Sequence, residues 1–244
     1  MTDRMPRIAS FHLTRERIWR TPVALARLGT DRQRLAKVPG LRFWRVLGTG
    51  GGSRTDGGAD LARTAMFAVW DDESDLDRFL ETHPIPRRWQ RAEEQWTVRL
   101  RSLGGHGRWR GIDPLDGLQP GRRTTDGPLV IVTRADVRRT AWRSFRAASK
   151  RVDDELQRAP GLIDVVGIGE APVGRLGTFS LWGSLADARA FATAMPDHGQ
   201  VIRTTRAEDW YAEELFARFE PFGSTGTWNG RDPLSPRRLP TSPE

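Results

Sequence analysis

The sequence predicts an α+β protein: two tandem ferredoxin-like β-α-β-β-α-β repeats that close, within one chain, an α/β barrel of the kind usually built by dimers. Three observations predict it. The chain repeats itself: Pro39-Gly40-Leu41 returns as Pro160-Gly161-Leu162, Phe67-Ala68-Val69-Trp70 as Phe179-Ser180-Leu181-Trp182, and Trp109-Arg110-Gly111-Ile112-Asp113-Pro114-Leu115 as Trp228-Asn229-Gly230-Arg231-Asp232-Pro233-Leu234. Strand-like and helix-like apolar patterns follow each other in the same order in both copies. The ten tryptophans and ten phenylalanines supply the buried surface that a shared core needs.

In the first copy, Arg7 to Leu13 reads as a strand with Ile8, Phe11 and Leu13 as its apolar members. A helical stretch follows to about Val38, disturbed at Pro22, where a helix loses an N–H donor. Leu41 to Leu47 and Thr64 to Trp70 read as strands on either side of the Gly-rich run 48–58. A helix covers Glu73 to Leu80, His83-Pro84-Ile85-Pro86 breaks it, and a further helix runs from about Arg87 towards Glu94. Gln95 to Leu100 returns as a strand.

The second copy opens with a strand at Leu129 to Val132. Asp136 to Gln157 reads as a helix whose stripe is Val137, Ala141, Phe145, Ala148, Val152 and Leu156, spaced by three or four. Leu162 to Ile168 and Gly177 to Trp182 are strands, and Leu185 to Ala194 is a helix ended by Met195-Pro196-Asp197. Asp197 can cap a last helix from His198 to about Glu208, and Asp209 to Phe219 closes the unit. The expected division is a first repeat at 7–103, a Gly-, Arg- and Pro-rich linker at 104–127 carrying the Trp-x-Gly-x-Asp-Pro-Leu motif, a second repeat at 128–220, and a tail at 221–244.

Composition narrows the function classes. The absence of cysteine excludes disulfides, iron–sulfur clusters, thiolate-ligated haem and cysteine nucleophiles. The net charge of +8 comes almost wholly from arginine, spread along the chain among acids, without a zinc-finger spacing, a helix-turn-helix or a dense basic tail. No nucleic-acid partner is expected, and a peripheral contact with a membrane surface stays open. No apolar run reaches the ~18 residues of a spanning helix or resembles a signal peptide, so a cytoplasmic location is expected.

Four histidines are the natural candidates for chemistry. His12 alternates with apolar residues on the first strand and reads as pocket lining; His83 reads as a turn or capping residue. His106 lies in Gly104-Gly105-His106-Gly107 and has its counterpart near Thr225. His198 opens the second split helix, where the first copy has roughly Pro84, and Arg203 and Arg206 follow it. A histidine with arginines one and two turns on suits a planar anionic ligand: imidazole on a haem iron, guanidinium on a propionate. The same spacing also suits an exposed histidine on a solvated arginine face. Asp209, Tyr211 and Glu213 share one strand face, and ion pairing to arginine is the expected role of its carboxylates.

An ordered set of segments resembles the spheroidene monooxygenase family of carotenoid ketolases. It comprises Arg87-Arg88-Trp89, Trp96-Thr97-Val98, Gly105-His106-Gly107-Arg108-Trp109, Val166-Gly167-Ile168-Gly169-Glu170-Ala171-Pro172, Thr178 to Trp182, then His198, Ile202-Arg203, Arg206, Asp209-Trp210 and Glu213 to Phe219. The resemblance implies an oxygen-dependent monooxygenase, with haem as cofactor, oxidising a terminal carbon of a linear carotenoid or another apolar metabolite. It also implies an electron donor such as ferredoxin and kinship with the dimeric α/β-barrel superfamily. It carries the metal-ligand role to His198, cofactor contacts to His198, Arg203 and Arg206, and a catalytic, distal-side role to His106, which is also the runner-up ligand. The alternatives are a cofactor-free monooxygenase or isomerase of the antibiotic-biosynthesis type, with a histidine as general base, and a non-catalytic barrel that binds an apolar ligand. The oligomeric state is left open.

Overall fold

The structure, a computed structural model, describes residues 6–50, 58–122, 126–170, 174–194 and 210–235. Among these, the first repeat comprises β1 (Ile8–Arg15), α1 (Thr21–Leu35), β2 (Leu41–Gly50), β3 (Ala59–Trp70), α2 (Glu73–Thr82), α3 (Pro84–Trp89) and β4 (Glu94–Gly107). The second comprises β5 (Leu129–Val137), α4 (Trp142–Leu156), β6 (Leu162–Gly169), β7 (Arg175–Trp182), α5 (Leu185–Ala194) and β8 (Tyr211–Gly226). The strands form one closed antiparallel barrel in the order β1-β3-β2-β6-β7-β5-β8-β4. Each repeat contributes a sheet of the same internal order, and the sheets meet at equivalent edges, β2 on β6 and β4 on β8. The expected intrachain α/β barrel is therefore the observed fold.

The two seams differ. The β4–β8 seam runs from Trp96↔Gly226 to Gly107↔Leu215, whereas β2 and β6 pair only at Gly48↔Gly169 and Thr49↔Ile168. The long seam explains why strands outrun their expected ends. β4 continues through Gly107 and β8 through Gly226, because each edge strand finds a partner in the other repeat for backbone groups that would otherwise be unpaired. Residues 104–107, expected as linker, and 221–226, expected as tail, are strand.

The local signals are physical. Gly40 and Gly161 adopt φ of 75° and 78°, and a Cβ at either would lie 2.1–2.2 Å from the side chain of Asp75 or Asp187. Only glycine fits, which is why Pro-Gly-Leu occurs in both copies. Asp72 caps α2 by accepting from Asp75 N at 3.0 Å, and Ser184 caps α5 by accepting from Asp187 N at 3.1 Å. His83 does not simply break the helix: its Nδ1 accepts from Ile85 N, and α3 begins at Pro84 rather than Arg87. Proline is preorganised for a first helical position. α4 begins at Trp142 rather than Asp136, because β5 keeps its ladder with β8 as far as Val137↔Tyr211.

The barrel interior is filled. Phe11, Phe67, Phe179, Phe219, Trp96, Trp109 and Trp228 belong to one buried cluster, with Phe11 and Phe179 stacked at 3.9 Å between centroids. Trp109 and Trp228 come from the repeated motif that follows β4 and β8. Each starts a tight turn with two successive positive φ angles, 54° and 76° at Arg110-Gly111, 55° and 78° at Asn229-Gly230. Glu213 accepts from Arg110 N and Gly111 N in the first turn; Glu94 accepts from Gly230 N in the second. Burial would raise the Glu213 carboxyl, but these two N–H donors and Arg134 hold it below its ordinary value. The motif is thus a plug fastened into the barrel core.

The turns differ at one position with a measurable consequence. Asn tolerates the left-handed conformation that Asn229 adopts; arginine at 110 does not. Arg110→Asn is expected to stabilise the protein by about 0.5–1 kcal/mol, read as an increased midpoint in urea denaturation.

Candidate functional site

Outside the barrel, each sheet faces its own helices, and this is where the repeats diverge. Antiparallel partners share a face, so the ladders define a row across each sheet. In the first repeat the row is Val46, Met66, His12, Thr97 and Thr225. In the second it is Gly167, Thr178, Thr133, Phe216 and His106. The register sets His106 opposite the position of Thr225, as the repeat alignment predicts.

The first row is packed shut. His12 is 1% exposed; its ring nitrogens bond Ser10 Oγ at 2.8 Å and Thr97 Oγ1 at 3.0 Å, and Trp89 of α3 lies over it at 4.9 Å. Trp70 Nε1 donates to Ser10 Oγ at 2.8 Å. Burial, aided by Arg99, lowers the His12 pKa to about 3. The remaining cleft beside it, about 60 Å³ and bounded by the Asp31–Arg88 pair, is room for about two waters. His12 is a neutral, buried group that lines this cleft, as expected of it.

A pH dependence follows. The unfolded chain takes up a proton near pH 6.5 that the folded chain refuses until about pH 3. Stability is therefore unaffected above pH 6.5 and falls as pH drops through that window, by about 2 kcal/mol at pH 5. Urea denaturation from about pH 7.5 to about pH 5 should show this slope in the native protein and lose it in His12→Gln.

The second row carries smaller side chains at its centre. Gly167, Thr178 and Thr133 replace Val46, Met66 and His12, and the two threonine hydroxyls bond each other at 2.8 Å. Its β8–β4 edge is raised instead, where the His106 ring stacks on Phe216 at 5.8 Å and is exposed. Among the described residues, the buried apolar side chains on this side fall into two clusters. One cluster gathers Ala135, Val137, Ala148 and Trp210 with Trp142 and Phe145; the other gathers Leu129, Leu156, Trp182 and Ala188. Trp142, Phe145 and Trp210 therefore lie in the first group and Trp182 in the second. In the first repeat the corresponding residues form a single cluster.

One row away, Arg218 pairs with Ile131 across the ladder. Its Nε is buried without a hydrogen-bond partner, a cost that a bound carboxylate or another acceptor would remove. Sequence reading missed Arg218, Gly167, Thr178 and Thr133. The missing signal was strand register, which alone shows that the three central positions answer Val46, Met66 and His12.

Of the expected site residues, His106 lies on β4 as described. His198, Arg203 and Arg206 lie outside the described residues. Among the described residues no group of three metal-ligating side chains occurs.

No family model matches the chain. It is 31% identical over 219 residues to the spheroidene monooxygenase of Rhodobacter capsulatus, covering 89% of this chain and 91% of that protein. It is 34% identical over 199 residues to that of Rubrivivax gelatinosus, covering 79% and 73%. Among solved structures, an aldoxime dehydratase in complex with butyraldoxime superposes with a TM-score of 0.61 at 13% identity, over 90% of this chain and 81% of that one. A second aldoxime dehydratase structure gives 0.57 at 11%, over 91% and 87%. At such identities these structures speak for the fold alone.

Proposed function

The chain belongs to the spheroidene monooxygenase family, and from that premise we propose that it inserts oxygen from O2 into a linear carotenoid or a similar apolar chain, at the hollow between the second sheet and its helices. The observation that supports the placement is the row of small side chains Gly167, Thr178 and Thr133, in line with His106 and answering Val46, Met66 and His12 of the first repeat. In the proposed assignment His198 holds haem iron and Arg203 or Arg206 pairs with a propionate. Arg218, with its unpartnered buried Nε, is a further anion partner on the same face. Haem, when bound, supplies oxygen activation.

The remaining tasks fall to the protein. The apolar clusters on either side of the hollow exclude water from a hydrocarbon substrate. The Thr133–Thr178 pair gives the floor a polar point that can orient an oxygen substituent. His106 is placed to hold and release a proton at a ring nitrogen. Each insertion consumes O2, two electrons and two protons, and gives a hydroxyl group and water. Two insertions at one methylene carbon near the chain end give a gem-diol, which loses water to leave a ketone. The electrons come from an external donor such as ferredoxin.

The test is incubation with a linear carotenoid, isotope-labelled O2 and a reductase–ferredoxin couple. The expected product is a ketone that acquires its label from O2. A labelled product formed without haem and without the reductase–ferredoxin couple would instead support the cofactor-free monooxygenase, and an unlabelled isomer the isomerase, in either of which His106 acts as base on an activated substrate.

A further inference from the structure

The first repeat carries a second asymmetry, on its surface. The short helical turn after β1, Ile18–Arg20, answers the turn Arg139–Ala141 after β5. Where the second repeat presents Arg139 and Thr140, the first presents Ile18 and Trp19, 84% and 71% exposed. Leu61, 60% exposed, lies on β3 one residue before Ala62, whose carbonyl accepts from Glu16 N. Single exposed apolar residues are ordinary; three large ones on one rim, two of them adjacent on a turn, are not.

We propose that this rim is a membrane-contact element that seats Ile18 and Trp19 among the headgroups and upper acyl carbons of an anionic bilayer. The chemistry around the pair favours this occupant. The Arg20 guanidinium lies over the Trp19 ring at 5.4 Å, and Arg17 on the other side is exposed. Indole flanked by guanidinium is the composition of a bilayer interface, with an apolar body for the acyl boundary and cations for phosphate. Of the nearby acids, Asp60 is bonded by Arg15 and Glu16 is half-buried, so the rim presents positive charge, in keeping with the chain's net +8. A short turn with two apolar side chains offers far less than the ~800 Å² per partner of a stable protein interface, but it suffices for shallow insertion backed by electrostatics. Among the described residues no helix is long and apolar enough to cross a bilayer, so this contact is with the surface. It would bring the protein to the phase in which an apolar polyene dissolves, yet it rests on exposure and charge and stands independently of the cofactor reading.

Co-sedimentation of the full chain with phosphatidylcholine vesicles, with and without phosphatidylglycerol, tests it. Binding is expected to the phosphatidylglycerol vesicles and to weaken with salt. Ile18→Ser with Trp19→Ser should lower the partition coefficient by about tenfold or more. Arg17→Gln with Arg20→Gln should lower it mainly at low salt. All four side chains lie on one surface turn, so an unchanged thermal midpoint confirms the fold, and haem uptake should be unaltered. Equal binding by native protein and the Ile18/Trp19 variant would overturn the proposal. So would the absence of binding to anionic vesicles at low salt, or concentration-dependent self-association that the variant abolishes.

Discussion

Gly167→Val combined with Thr178→Met is expected to lower haem affinity by about tenfold or more, and turnover with it, while the protein stays folded. The two substitutions install the side chains that the first repeat carries at the same ladder positions, Val46 and Met66. In the first repeat those residues help fill the space between sheet and helices. In the second they would occupy the centre of the hollow, and forcing a ligand against them carries the usual overpacking penalty of about 1–3 kcal/mol, which is a factor of about ten to a hundred in affinity. Circular dichroism and the thermal midpoint serve as the fold control. Undiminished haem uptake by a folded double variant would mean that the ligand sits elsewhere.

Trp109→Ala is expected to destabilise the protein by about 3–5 kcal/mol. Trp109 is buried against Phe43 and Phe67, with centroids at 5.7 and 5.8 Å, and its Nε1 donates to Glu170 at 3.1 Å. Its loss leaves a cavity at the barrel end and removes a donor from a buried carboxylate that also faces Arg45 and Arg134. Trp228→Ala makes the comparison informative. That ring is equally buried, but its Nε1 has no hydrogen-bond partner, so its removal costs packing alone and should be milder by about 1 kcal/mol. Urea denaturation of both variants reads the difference. Equal or reversed costs would mean that the Glu170 bond adds nothing to the plug.

The architecture was legible because both copies obey the same local demands. A left-handed glycine against Asp75 or Asp187 fixes Pro-Gly-Leu, and the apolar period places β1, β6 and β7 close to their observed positions. Strand ends were not legible, because the extra residues of β4 and β8 pair with each other across repeats, a tertiary fact absent from either copy alone. The motif after β4 reads as linker in composition, since Gly, Arg and Asp are turn residues; its tryptophan is the only sign that the turn plugs a core. In the proposed site, His106 is a candidate from its sequence context. The row Gly167, Thr178 and Thr133 is not, because these residues become neighbours only through register. His12, alternating with Phe11 and Leu13, lies on a strand buried on both faces, where alternation no longer separates core from pocket.

A haem titration of the purified protein, followed by its ultraviolet–visible spectrum, tests the central claim most directly. A Soret band should grow to saturation at one haem per chain, vanish in His198→Ala and persist in His106→Ala, which loses turnover instead. A protein that stays colourless with excess haem, or one whose band is lost only in His106→Ala, would contradict the account.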